Sequence, residues 1–304
     1  MQIFIPAAIV MMAFAANSLL TRAALADGAI GPLNFTLIRV GSGAIVLLFI
    51  LALRERRIPR PLQPDLQAVC SLVIYMFSFS LAYVSIESGI GALIFFGGAM
   101  ISMILAEPLV GRSSDDTAAK GFTARQHWFG VGLSVAGLCI LLWPSENIDI
   151  PFTTFALMTI AAVSWGIYSL TGRLSKRNIA LGNCDAGSDR LSITAWNFAY
   201  ALPAVLLVSL AFAGNETTSG EGIALAALCG AVTSGLGYVL WYYVLRLQTF
   251  QKHPTMAAHA QLSVPVIAMV FGFLLLGETI TLQSAMAALL VMGGIALGTV
   301  YKTA

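Results

Sequence analysis

Apolar stretches of about twenty residues recur ten times along this chain of 304 residues, at roughly 3–21, 31–53, 66–86, 89–110, 127–144, 151–172, 191–213, 222–245, 254–276 and 279–300. A helix rising 1.5 Å per residue needs about that length to cross the hydrocarbon of a bilayer. In that medium every backbone N–H and C=O must find its partner within the segment. The pattern therefore predicts an all-α integral membrane protein with ten transmembrane helices. Composition agrees: 58% of the residues are apolar and 10% charged, where soluble domains run near half and a quarter. Mean hydropathy is +0.87. The four cysteines, Cys70, Cys139, Cys184 and Cys229, form no CxxC pair and no disulfide framework. A net charge of +2 makes no case for a nucleic-acid partner. The expected partners are a small-molecule solute and the lipid bilayer, and no cofactor is expected.

Breakers mark the joints. Asp27-Gly28 and Gly31-Pro32 separate the first two spans, and Pro254 stands where a first-turn proline is tolerated. Gly89 and Gly91 divide the third and fourth so tightly that they must form an antiparallel hairpin. The first span lacks the basic flank of a signal peptide, although RAALADG resembles a small-residue cleavage site. Its counterpart in the sixth span argues for keeping it.

Lys and Arg are distributed unevenly. Fourteen of the 16 fall on loops of one side, from Arg54, Arg56, Arg57 and Arg60 to Lys302. The opposite loops carry Asp27, Glu87, Glu146, Asp149, Glu216, Glu221 and Glu278, with Arg22 as their one base. The positive-inside rule then places both termini in the cytoplasm.

The two halves of the chain match weakly. Ser18-Leu-Leu-Thr-Arg22 falls on Ser169-Leu-Thr-Gly-Arg173, Phe14 on Trp165, Tyr83 on Tyr243, Gly111 on Gly277 and Gly137 on Gly294. Each half, 1–148 and 149–304, holds five predicted spans, an odd number, so the second must enter the membrane from the opposite side. Inverted repeats of this kind are common in secondary transporters. Apolar helices rich in Ala, Leu and Gly also align by composition alone, and the charge asymmetry is the independent argument for inversion.

The motifs NSLLTRAAL (17–25), FTLIRVGSGAIVLL (35–48), GALIFFGGAMISMILA (91–106), SWGIYSLTGR (164–173), GLGYVLWYYVLR (235–246) and QLSVPVIAMVFGFLLLGE (261–278) resemble those of EamA-type members of the drug/metabolite transporter superfamily. The likeness covers nearly the whole chain. It implies a ten-helix inner-membrane carrier exporting small metabolites or drugs by alternating access, and it does not name the solute. Two departures stand out. The segment LQTFQKHP is longer than usual, and Gly111-Arg112 replaces the expected Gly-Glu while Glu107 takes a small residue's place.

Several side chains in the spans are candidates for a solute site. Tyr238, Trp241, Tyr242 and Leu245 share one helical face. That face is either an aromatic cavity wall or part of an interfacial belt, the cavity being the better reading for Tyr238 and Trp241. Trp165 and Tyr168 share a face of the sixth span, opposite the position equivalent to Asn17, and Tyr75, Tyr83, Phe95 and Phe96 add aromatic surface. His259 and Gln261 lie about 200° apart on a regular helix, so they do not both face one cavity. Pro265 takes away the amide that would bond the Gln261 carbonyl. Both polar residues serve equally as interhelical hydrogen-bonding groups. Arg39 is the one base deep in a span, roughly 12 Å from its outer end. Such a group is functional by default or else snorkels outward, and Asn17 and Glu87 are its expected partners.

No HExxH, GxSxG or Walker sequence is present, so hydrolysis and nucleotide binding are not expected and the chain does not read as an enzyme. One deep arginine is too little for a phosphate ester. The expectation is an exporter of a small neutral or zwitterionic solute, amino-acid-like or a drug. Coupling is either proton antiport through His259 or Glu107, or facilitated efflux or exchange. An importer of the same solutes and a non-transporting sensor or assembly protein are the alternatives.

Overall fold

A computed structural model describes residues 4–56, 61–106, 124–143, 150–174, 189–212, 214, 216–246 and 260–299. Among these, ten helices follow one another: α1 Phe4–Ala26, α2 Pro32–Glu55, α3 Leu66–Tyr83, α4 Ser88–Ala106, α5 Ala124–Leu141, α6 Phe152–Leu174, α7 Asp189–Phe212, α8 from Gly220 to Arg246, α9 Ser263–Leu276 and α10 Leu282–Thr299. Six of them, α1, α2, α3, α6, α7 and α8, are long and apolar enough to cross a bilayer, and four apolar helices are shorter within the described residues. At 14 residues, α9 is about 21 Å long. The expected ten spans thus appear as ten helices of which six have span length.

Helix ends are set by residues that satisfy backbone groups no hydrocarbon can satisfy. Pro32 opens α2 where its missing N–H costs nothing. Asp65 caps α3 by accepting from the Ala68 amide at 3.1 Å, and Ser219 caps α8 through the Gly222 amide at 3.0 Å. Gly277, at φ +66°, closes α9 in the left-handed conformation that favours glycine, and the next amide, of Glu278, reaches back to the Gly272 carbonyl. The outer surface is apolar: Ile45, Phe49 and Leu53 on α2, Leu207 and Leu210 on α7, and Leu274 and Leu275 on α9 are exposed. Polar side chains such as Ser18, Thr21, Thr36, Arg39, Ser80 and Thr233 are buried. Water-soluble folds reverse that arrangement.

The helices pack in recurring pairs. α5 lies antiparallel against α10, with Gly137 over Val291 and Gly294 over the Gly130 carbonyl, and Ser134 donates to the Val291 carbonyl at 3.1 Å. α2 lies antiparallel against α7, with Gly43 under the Phe198 ring and Ser209 donating to the Leu33 carbonyl. α3 packs on α6 and α1 on α8, while α4 touches α6 and α9 touches α1. Small residues permit these approaches.

The middle of α8, Cys229–Leu236, is a π-helix. It faces α2 so closely that a Cβ at Gly230 would overlap the Arg39 carbonyl and the Ser42 hydroxyl. Since the obstacle is backbone, it cannot swing aside. Gly230→Leu is therefore expected to cost about 1–3 kcal/mol of stability and to lower the melting temperature in detergent by several degrees. Gly293→Ala, where the added carbon meets nothing within 4 Å, should leave it unchanged. Equal melting of the two variants would remove the tight α2–α8 contact from the account.

Candidate functional site

Arg39 projects from α2 into the centre of the bundle and is 1% exposed. Its Nη2 donates to the Tyr75 hydroxyl at 3.0 Å. The guanidinium carbon stands 5.1 Å from the Phe79 ring centroid and 5.7 Å from that of Tyr75, within cation–π range. Nε and Nη1 are buried without a hydrogen-bond partner. Of the two alternatives for this residue, outward snorkelling is not what the side chain does. The expected partners are corrected: among the described residues neither Asn17 nor Glu87 hydrogen-bonds it. Tyr75, one helix over on α3, supplies the contact that depth along the helix alone did not reveal. Glu107 lies outside the described residues.

An aromatic cluster adjoins the arginine. Tyr75 packs on Trp165 at 5.1 Å between centroids, Trp165 stacks on Tyr238 at 5.6 Å and 22°, and Tyr168 sits 5.6 Å from Trp165. Phe14 meets Tyr238 at 6.2 Å and Trp241 at 5.9 Å. Phe95 closes over Tyr75 at 5.3 Å. Offset and edge contacts of this kind are each worth about 0.5–1.5 kcal/mol beyond burial. Five predicted residues, Arg39, Trp165, Tyr168, Tyr238 and Trp241, are thus drawn together from α2, α6 and α8. Rings of α1, α3 and α4 complete the group.

Asn17 approaches from α1. Its Oδ1 accepts from the Thr233 hydroxyl at 3.1 Å and the Cys229 thiol at 3.2 Å, both in the π segment of α8. Thr21 adds a bond to the Asn17 carbonyl at 2.7 Å. Apolar context alone reads Cys229 as a small hydrophobe, and the run Cys-Gly-Ala-Val-Thr-Ser-Gly is the one sequence signal for this network. Single-turn or short π segments recur where a helix must present groups out of ordinary register.

The remaining candidates lie elsewhere. Tyr83 is buried, but its hydroxyl donates to the Ser88 carbonyl at 3.3 Å, in the α3–α4 turn. Its ring contact toward the centre, among the described residues, is with Phe79, 4.7 Å away. Gln261 is half-buried ahead of α9, and no described hydrogen bond ties it to the cluster. Residues 260–261 are helical, Leu262 is a turn, and α9 starts afresh at Ser263. Pro265 thereby stands in a first turn and not in mid-helix. His259 lies outside the described residues, as do the side chains of Tyr242 and Tyr243.

Sequence reasoning missed a second group, at the end of the bundle where the acidic loops meet. Glu278, just past α9, accepts from the Ser88 amide at 2.6 Å and its hydroxyl at 2.5 Å. A carboxylate at the start of α4 is favoured by the helix dipole. Arg22 donates to the carbonyls of Tyr83 and Val84 at 3.0 and 2.9 Å and lies 4.0 Å from Glu278. Beside it, Thr279 donates to Glu87. On the other flank Glu216 accepts from the Leu33 and Asn34 amides at 3.3 and 3.0 Å, and the 28–31 loop pairs with residues 217–219. The pKa of Glu87 is raised, first by partial burial and then by the neighbouring Glu278 charge, against hydrogen bonds from Thr279 and the charge of Arg22.

Comparison with known proteins gives four findings. The family model described as the EamA-like transporter family matches residues 153–300. An uncharacterized protein of Pseudomonas aeruginosa is 40% identical over 287 residues, 94% of this chain and 91% of that one. The uncharacterized transporter YoaV of Bacillus subtilis is 31% identical over 144 residues, 46% of this chain and 44% of its own length. A solved crystal structure superposes with a TM-score of 0.62 at 17% identity, covering 96% of this chain and 98% of the other. At that identity it speaks for the fold alone.

Glu87 supplies a pH test. A carboxyl whose folded pKa exceeds its unfolded value holds its proton more tightly when folded. Its contribution favours folding below the ordinary carboxylate range and fades as pH rises through the raised folded value. Glu87→Gln should flatten the fall of melting temperature across that window and melt at or above wild type at neutral pH. Differential scanning of the two proteins in detergent checks this, and identical pH slopes would contradict it.

Proposed function

Because the chain belongs to the EamA-type family of the drug/metabolite transporter superfamily, we propose that this multi-pass membrane protein is a secondary transporter. It exports a small neutral or zwitterionic solute, amino-acid-like or a drug, across the inner membrane by alternating access. The observation that carries this reading is the central cluster itself. Its members come from α1, α2, α3 and α4 of the first half and α6 and α8 of the second, so that rocking of the halves would open it.

The inverted repeat of residues 1–148 and 149–304 is part of the proposal. Helix contacts recur with an offset of five: α3–α6 answers α8–α1, α4–α6 answers α9–α1, and α5–α10 and α2–α7 pair with themselves. Gly137 and Gly294, matched in sequence, both lie in the α5–α10 contact. Phe14 packs on Tyr238 and its counterpart Trp165 on Tyr75. These correspondences support a two-fold relation, and the acidic loops, tied together at one end, form the outer face when the basic loops and both termini are cytoplasmic. Coupling by a proton or by solute exchange belongs to the same proposal, with Glu107 and His259 as its sequence candidates.

Uptake into proteoliposomes, screened with amino acids, sugars and cationic dyes, tests the reading. Trp165→Ala and Tyr238→Ala should each lower flux on the order of tenfold while the proteins remain folded by circular dichroism. Folded wild-type protein that moves none of these compounds overturns the transport reading. Glu278→Gln, which weakens the Ser88 tie, should increase labelling of a reporter cysteine at Ser18→Cys by an impermeant maleimide added from the acidic side, and unchanged labelling would deny the tie a gating role.

A further inference from the structure

Arg39 has a feature the transport reading does not absorb. A guanidinium carries five N–H donors and no acceptor, yet among the described residues this one makes a single hydrogen bond, to the Tyr75 hydroxyl. Nε and Nη1 are buried and unpartnered. Among the described residues its electrostatic neighbours are Tyr75, Cys229 and Tyr238, with no carboxylate in that group. Glu87, the acid that depth along the spans made an expected partner, is committed to Thr279, and Glu278 to Ser88. Leaving a buried cation without a counter-charge is expensive, and a charged side chain within a membrane span is expensive again.

Arg39 is held in that position regardless. The close fit of Gly230 against its backbone carbonyl fixes the α2 backbone, and Phe79 and Tyr75 flank the guanidinium. Tyr75 joins it directly to the Trp165–Tyr238 stack. The guanidinium is therefore fixed at the edge of an aromatic surface with two of its nitrogens unpartnered.

Resting on the transport reading above, we propose that Arg39 receives a carboxylate of the transported solute, with Trp165 and Tyr238 covering the apolar part attached to it. Edges of the guanidinium formed by Nη2 with Nε or with Nη1 suit the two oxygens of a carboxylate. One positive charge matches one carboxylate and not a doubly charged phosphate ester. The zwitterionic solute class is thereby narrowed to an amino acid bearing an apolar or aromatic group. Neutral sugars and cationic dyes fall outside it.

The test uses the full chain in proteoliposomes, with L-phenylalanine and L-leucine as probes and their carboxamides as isosteric controls. Each acid should compete for transport on the order of 10–100-fold better than its amide, the value of one charge-assisted contact. Arg39→Gln should abolish that preference while leaving transport of the amide in place, and Arg39→Lys should restore part of it. The preference in wild type needs no variant, so poor folding of Arg39→Gln leaves the proposal open to refutation. Flux of the acids and amides with equal efficiency in wild type, or flux of neutral and cationic compounds only, overturns the carboxylate assignment and leaves the transporter reading standing. Absence of all flux from folded protein overturns both.

Discussion

Gly230 lets α2 and α8 meet backbone to backbone, and the centre of the molecule is arranged around that meeting. With no side chain between them, the Arg39 carbonyl and the π segment of α8 share one plane of contact. The extra residue per turn in that segment turns Cys229 and Thr233 toward Asn17 on α1, while Tyr238, beyond its end, stacks on Trp165. A regular α-helix over the same residues would aim one of these two sets away. A packing constraint between two helices thus becomes a choice of which side chains face the interior.

Much of the fold was legible because a bilayer leaves a chain few choices. Apolar runs, Pro32 at the start of α2, and the pairing of Gly277 with Glu278 at the end of α9 all carry their meaning locally. The central site was legible in part. Arg39 stood out as a charge in an apolar run, and Trp165, Tyr238 and Trp241 stood out by helical spacing. What stayed hidden depended on distance or on broken regularity. Tyr75 is 36 residues from Arg39, Ser88 is 190 from Glu278, and nothing in a periodicity of 3.6 announces a π segment. Cys229 reads as an ordinary small apolar residue until Asn17 is placed beside it.

One face of α3 connects the two polar regions. Tyr75 touches Arg39, Phe79 lies between, and Tyr83 bonds the Ser88 carbonyl beside Glu278, the three residues spaced four apart. Each ring contacts the next, so a shift of α4 against α9 at the acidic end meets a packed aromatic column leading to the guanidinium. Close packing transmits such shifts as rotamer or rigid-body changes and not as gradual deformation. In the proposed transport cycle, the column would be the physical contact between the acidic end and the central site.

The hold that Glu216 has on the first amides of α2 also dictates an order of assembly. Leu33 and Asn34 emerge from the ribosome 183 and 182 residues before the carboxylate that receives them. At ordinary rates of synthesis that is a delay of roughly ten to forty seconds. Throughout that interval the start of α2 has only water and lipid headgroups for acceptors. Biogenesis of the N-terminal helices therefore ends in an unfinished bundle, which depends on the insertion machinery or the headgroup layer until the later loops arrive to complete it.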